Sequence, residues 1–167
     1  MGYASSAGIG TSMSDRAIEM KKYQIRKCPC KTKGWAFPCT IEDDPLVYFH
    51  ATPATNFKAI KKGGFKSKAE LCGDDNNPLS EDVLPSVSFG KTSSVAYAYL
   101  MKSSTLSEKW CIFAVLYENT DPKNLREQGD SIHPCILVPP PKIIGYCFIP
   151  AGHKYCYSAP CQFKSPK

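Results

Sequence analysis

The chain has 167 residues, 43% hydrophobic and 22% charged, with a formal net charge of +6. One domain with a buried core suits that length. No apolar run approaches the ~18 residues of a membrane span, so a soluble chain without a transmembrane segment is expected. Fourteen prolines and eleven glycines favour short elements joined by turns over a helical bundle, and no internal repeat occurs. The lysines are scattered, which reads as a solvated basic surface. The functional alternative is attraction to a phosphate-bearing cofactor, an acidic protein or a nucleic acid. The sequence carries no RNA- or DNA-binding motif, so no nucleic acid is expected.

Nine cysteines is an odd number, so disulfide pairing of the rest would leave at least one thiol over. Residues 1–20 are small and polar, without the apolar stretch of a secretory signal, and read as a flexible arm ahead of one domain over 21–167. A reducing compartment with free, buried thiols follows, either cytoplasmic or a host cytosol into which the protein is delivered. Secretion is left open. Zinc is the rival reading, with Cys28, Cys30 and Cys39 near one end and His153, Cys156 and Cys161 near the other. Neither group has C-x2-C spacing, so no metal is expected. Met1-Gly-Tyr-Ala-Ser-Ser fits the acylation pattern on Gly2, against which the bulky Tyr3 counts.

Residues 21–44 form a lead-in rich in Cys, Lys and Pro, with Trp35 and Phe37, whose composition predicts turns. Leu46 to His50 reads as a strand, bounded by Pro45 and Pro53. A short helix follows, with Thr55 as N-cap, Phe57 and Ile60 on its apolar face, and Gly63-Gly64 as its stop, Phe65 folding back on it. Residues 66–85 are polar and turn-rich. Ser86 to Phe89 is a second strand, and Thr92 caps a helix through Ala96, Tyr97 and Leu100. Trp110 to Tyr117 is a nearly continuous apolar strand, expected to be buried on both faces. Residues 118–134 read as a loop. Cys135 to Val138 and Lys142 to Ile149 read as strands, with Gly145 marking a bulge or a close backbone approach. Residues 151–167 read as a loop. Strands dominate, with two short helices in the N-terminal half, giving an α+β fold whose core spans 46–149.

Four segments carry a resemblance. Val47-Tyr-Phe-His-Ala-Thr52 is followed by Asn56-Phe-Lys-Ala-Ile-Lys-Lys-Gly-Gly-Phe65. Val87-Ser-Phe-Gly90 leads to Ser94-Val-Ala-Tyr97, and Cys135-Ile-Leu-Val-Pro-Pro140 precedes Ile143-Ile-Gly-Tyr146. In that order they resemble the NAD-binding half of the ADP-ribosyltransferases, most closely the branch with a His/Tyr/Glu triad that includes the poly(ADP-ribose) polymerases and diphtheria-type toxins. The resemblance implies a small split β-sheet fold and NAD as substrate. It implies that His50 hydrogen-bonds an adenosine-side ribose hydroxyl and that the Ala51 backbone pairs with the nicotinamide carboxamide. Thr52 would brace the strand end or approach the ribose, and Ser94 would assist at the carboxamide. Tyr97 would stack on the nicotinamide ring. Tyr99 is the alternative, since it fits the spacing from Phe89 better.

The family's catalytic Glu opens the strand equivalent to Cys135–Val138, so here Cys135 stands in its place, and His133 occupies that of an accessory polar group. Asp130 and then Glu127, on the preceding loop, are the candidate catalytic carboxylates, with Glu118 third. The resemblance implies a mono-ADP-ribosyltransferase of toxin or effector type, a glycosyltransferase that moves ADP-ribose from NAD to a macromolecular target such as a protein. The alternatives are a catalytically inactive module of the same fold that binds NAD, ADP-ribose or a protein, and an NAD glycohydrolase.

Overall fold

The computed structural model describes residues 19–25, 36–66, 87–102, 107–119, 121, 124–134 and 137–153, without the side chains of Tyr99, Met101, Lys102 and Leu125. In chain order the strands are β1 (Lys21–Gln24), β2 (Val47–Pro53), β3 (Phe89–Gly90), β4 (Trp110–Leu116), β5 (Leu125–Gln128), β6 (Ser131–Pro134) and β7 (Lys142–Ile149). The helices are α1 (Cys39–Glu42), α2 (Phe57–Gly63), which a 3-10 turn at Ala54–Asn56 leads into, and α3 (Ser93–Lys102). The fold is α+β, with a seven-stranded mixed sheet in the order β1-β7-β4-β2-β3-β6-β5 and a few short helices.

The apolar run of β4 sits inside the sheet, antiparallel to β2 on one side and to β7 on the other. Strand side chains alternate between faces, and β4 fills both. Ile112 and Ala114 join one core cluster, whereas Cys111, Phe113 and Val115 join the other. The first cluster is covered by α3 and by Ala36 and Phe37 of the lead-in. On the opposite face, Phe57 and Ile60 of α2 and Phe65 beyond it pack on the second cluster.

Thr92 caps α3 through its hydroxyl, which accepts from the Val95 N–H at 3.2 Å, as its residue type predicts. At the end of α2 the Gly64 N–H donates to the Ile60 carbonyl, and Gly64 takes a φ of +74° that favours glycine. Gly145 is both a bulge and a close approach. The β4–β7 register shifts beside it, and a Cβ there would lie 2.7 Å from the Tyr23 ring.

Other expectations are corrected. The lead-in supplies the edge strand β1, parallel to β7, and the helix α1. Residues 125–134, read as loop, form the hairpin β5–β6, joined by the two-residue turn Gly129-Asp130 with Gly129 at φ +57°. The strand before Gly90 is only two residues long, and the 3-10 turn begins at Ala54, where Thr55 makes no side-chain cap. Leu137 and Val138 lie outside any strand, while Cys135 falls outside the described residues, as do residues 1–18 and 154–167.

Candidate functional site

The sheet is pinched where β3 enters it. A single residue pair, Phe49 with Gly90, joins β2 to β3, and Phe89 and Gly90 pair with β6 on the other side. Past Phe49 no described strand pairs with β2 on that side. A side chain bridges the parting: the Nδ1 of His50 lies 2.9 Å from the Ser88 carbonyl. A carbonyl only accepts, so this nitrogen carries the proton and the other ring nitrogen, Nε2, is left as an acceptor in the neutral ring. Burial holds the His50 pKa below its ordinary value, against a smaller opposing pull from the Ser88 carbonyl.

Beside His50 lies a cavity of about 460 Å³. His50, Thr52, Val87 and Ser88 form one wall, while Asn56, Ala59, Ile60 and the Gly63–Lys66 stretch form the other. Its size is within the usual range for a small-molecule site. The rings of Phe65 and Phe89 meet His50 edge-on, with centroids 5.2 and 5.7 Å away, and fix the imidazole plane. Thr52 is buried, and its hydroxyl accepts from the Asn56 amide at 3.0 Å, tying the strand end to the start of α2. Gly63 and Gly64 have no neighbouring atom within 4 Å of where a Cβ would stand. Among the described residues of the lining, Lys66 is the one charged side chain.

The candidate residues divide. His50 and Thr52 share the cavity with Ser88, and the Ser88 hydroxyl in turn lies 2.9 Å from Nδ1 of the buried His133. Tyr97 is elsewhere. It is fully buried in the cluster with Val47 and Phe49, on the opposite face of β2 from His50, and its hydroxyl donates to the His153 carbonyl at 3.3 Å. The Ala51 side chain packs on that same face. Ser94 is half-buried in the first turn of α3 and does not line the cavity, and the side chain of Tyr99 is not among those described.

The carboxylates stand apart too. Asp130 is exposed at the tip of the β5–β6 hairpin, where its carbonyl accepts from the Lys91 N–H. Glu127 is exposed and forms an ion pair with Lys91 at 3.3 Å. Glu118 is exposed beyond β4. None of the three lines the cavity.

A carboxylate that sequence reasoning missed is Glu42, 1% exposed on α1. It accepts from both the backbone N–H and the hydroxyl of Ser93, and Ser93 Oγ in turn accepts from the Ala36 N–H. The negative group sits at the positive end of α3, where the first N–H groups lack helical partners. The sequence signal is slight: one Glu in a tetrapeptide that follows Pro38, fifty-one residues from its partner. Cys111 and Cys147 are free and buried, with burial pushing both thiols up to about 12, so they stay neutral and poorly nucleophilic. Of the zinc candidates only Cys39 and His153 are described, and no metal-binding group of three occurs among the described residues. No helix among them is long and apolar enough to cross a membrane. No protein-family model, curated protein or solved structure matches the chain.

Proposed function

We propose that this protein binds NAD by its adenosine half in the cavity beside His50, and that it transfers ADP-ribose from that NAD to a macromolecule. The observation that carries the reading is the combination at the cavity wall: a neutral imidazole with a free acceptor nitrogen, held by the Ser88 carbonyl beside an apolar slot. A ribose presents hydroxyl donors to such an acceptor, and a flat base suits the slot between Ile60 and Phe65. Lys66 supplies a cation for the pyrophosphate. No described strand pairs with β2 on that side beside Ala51, and the nicotinamide half is assigned to that strand end.

In the transfer reaction the nicotinamide–ribose bond breaks through an oxocarbenium-like state. The protein's share is to hold NAD bent and to stabilise positive charge. Asp130 remains the first candidate for that carboxylate, followed by Glu127 and Glu118. A recognition module without transfer chemistry is the second reading, favoured by the absence of any carboxylate among the described residues that line the cavity. Hydrolysis of NAD, with water as acceptor, is the third.

Labelled NAD added with the protein to a cell lysate tests the transfer. Transfer predicts released nicotinamide and a protein carrying one ADP-ribose unit, located by mass spectrometry. Nicotinamide release with no labelled protein points to hydrolysis. NAD binding without release selects the recognition module.

A further inference from the structure

The aromatic side chains of β7 raise a separate matter, since Tyr146 and Phe148 project on the face away from α3. Strand register sets Lys22 of β1 beside Tyr146 and Gln24 beside Phe148. Phe57 of α2 closes the group, with ring centroids 4.8 Å from Tyr146 and 5.1 Å from Phe148, and the latter two are 5.5 Å apart. Phe57, Tyr146 and Phe148 are all half-buried. The ammonium of Lys109, at the foot of β4, lies 4.3 Å from the Phe148 centroid, and that of Lys22 lies at 5.9 Å. Both lysines are exposed, and neither makes an ion pair among the described residues. Glu108 and Glu19, their acidic neighbours in the chain, are exposed and unengaged with them.

We propose that this lysine-flanked aromatic strip binds single-stranded nucleic acid, with bases stacking on Phe148 and Tyr146 and phosphates held by Lys22 and Lys109. An ammonium over an exposed ring is weakly held. A nucleotide supplies both replacements at once: its base takes the ring face and its phosphate takes the released ammonium. An acidic peptide brings only the anion, and an apolar partner would bury two cations without a counter-charge. Alternate residues on one strand face lie about 7 Å apart, which suits successive bases, and stacking of this kind tolerates any base. The strip is assembled from two strands, the residue ahead of β4 and a helix, so no linear motif announces it. It does not depend on NAD binding.

Fluorescence anisotropy of labelled oligothymidine and oligouridine with the full chain tests the proposal. Binding is expected at low salt and should weaken steeply as salt rises. Phe148→Leu should weaken it by about tenfold with the salt slope unchanged. The exposed pair Lys22→Gln and Lys109→Gln should weaken it while lowering the slope by about 1.4, the amount expected for two lost phosphate contacts to a single strand. That double variant leaves the core untouched, so it keeps the test valid if Phe148→Leu fails to fold. No binding by the unaltered protein at low salt would overturn the proposal. So would affinity unchanged by the lysine pair, or poly-glutamate of equal charge binding as tightly as the oligonucleotides.

Discussion

The two faces of the sheet draw on alternate residues of the same strands, yet they are finished differently. On the α3 face, Phe49, Tyr97, Phe37 and Ile112 close against one another, and Glu42 seals the helix end. On the α2 face, the described helix has only seven residues, and among the described residues it does not close the sheet. A cavity remains beside His50, and a lysine-flanked aromatic strip remains beside Phe57. The sealed face provides the rigidity, and the hollow one carries the two sites proposed above. Neighbouring residues of β2 therefore serve opposite purposes, with Phe49 and Ala51 in the sealed core and His50 and Thr52 at the cavity.

Substitutions that break this contrast should differ in kind. Phe49→Ala, in the sealed core, should cost about 3–5 kcal/mol in chemical denaturation, whereas Ile60→Ala at the cavity should cost far less. A loss at Ile60 as large as that at Phe49 would mean the cavity is closed in solution. Glu42→Ala should come next, at about 1–3 kcal/mol, because it strips the buried Ser93 N–H of its acceptor. Glu42→Gln should recover part of that loss, since the amide oxygen still accepts.

The pH dependence follows from His50. Its folded-state pKa lies below the ordinary 6.5, so the unfolded chain binds its proton first as pH falls. Stability is then full above about 6.5 and declines as pH drops toward the folded pKa, below which this contribution is gone. His153, also held low by burial, adds to the same slope. Urea melts from pH 7.5 to 5 should show the decline, and His50→Gln should flatten it; an equal slope in the variant would place its origin elsewhere. The smallest effect expected is at Thr92→Ala, about 1 kcal/mol for loss of the α3 cap, measured by thermal melting.

Local chemistry made part of this architecture readable in advance. The apolar run of β4 needed no partner to be recognised, and Thr92, Gly64 and Gly145 announced a cap, a stop and a close approach by residue type alone. The β5–β6 hairpin escaped because its strands are four residues each and mostly polar, although Gly129-Asp130 is a turn signal that short runs flank on both sides. β1 escaped because Lys-Lys-Tyr-Gln has no apolar alternation beyond Tyr23, and its place comes from pairing with β7. That His50 and Thr52 stand together at one strand end was legible from the strand and its flanking segment, and both line the cavity. The direction of Tyr97 was not, because a helical repeat says that one stripe is buried and not which face of the sheet it meets. The Glu42–Ser93 contact joins segments distant in the chain, which no periodicity encodes.

The central claim is that the adenosine half of NAD is held on the His50 face and not beside Tyr97. Calorimetric titration of NAD and of ADP-ribose into the unaltered protein, His50→Ala and Tyr97→Phe tests it most directly. The account predicts that both ligands bind the unaltered protein, that His50→Ala weakens both by about tenfold or more, the scale of a lost hydrogen bond with its packing, and that Tyr97→Phe leaves both unchanged. Binding that survives His50→Ala but is lost in a folded Tyr97→Phe variant would contradict it.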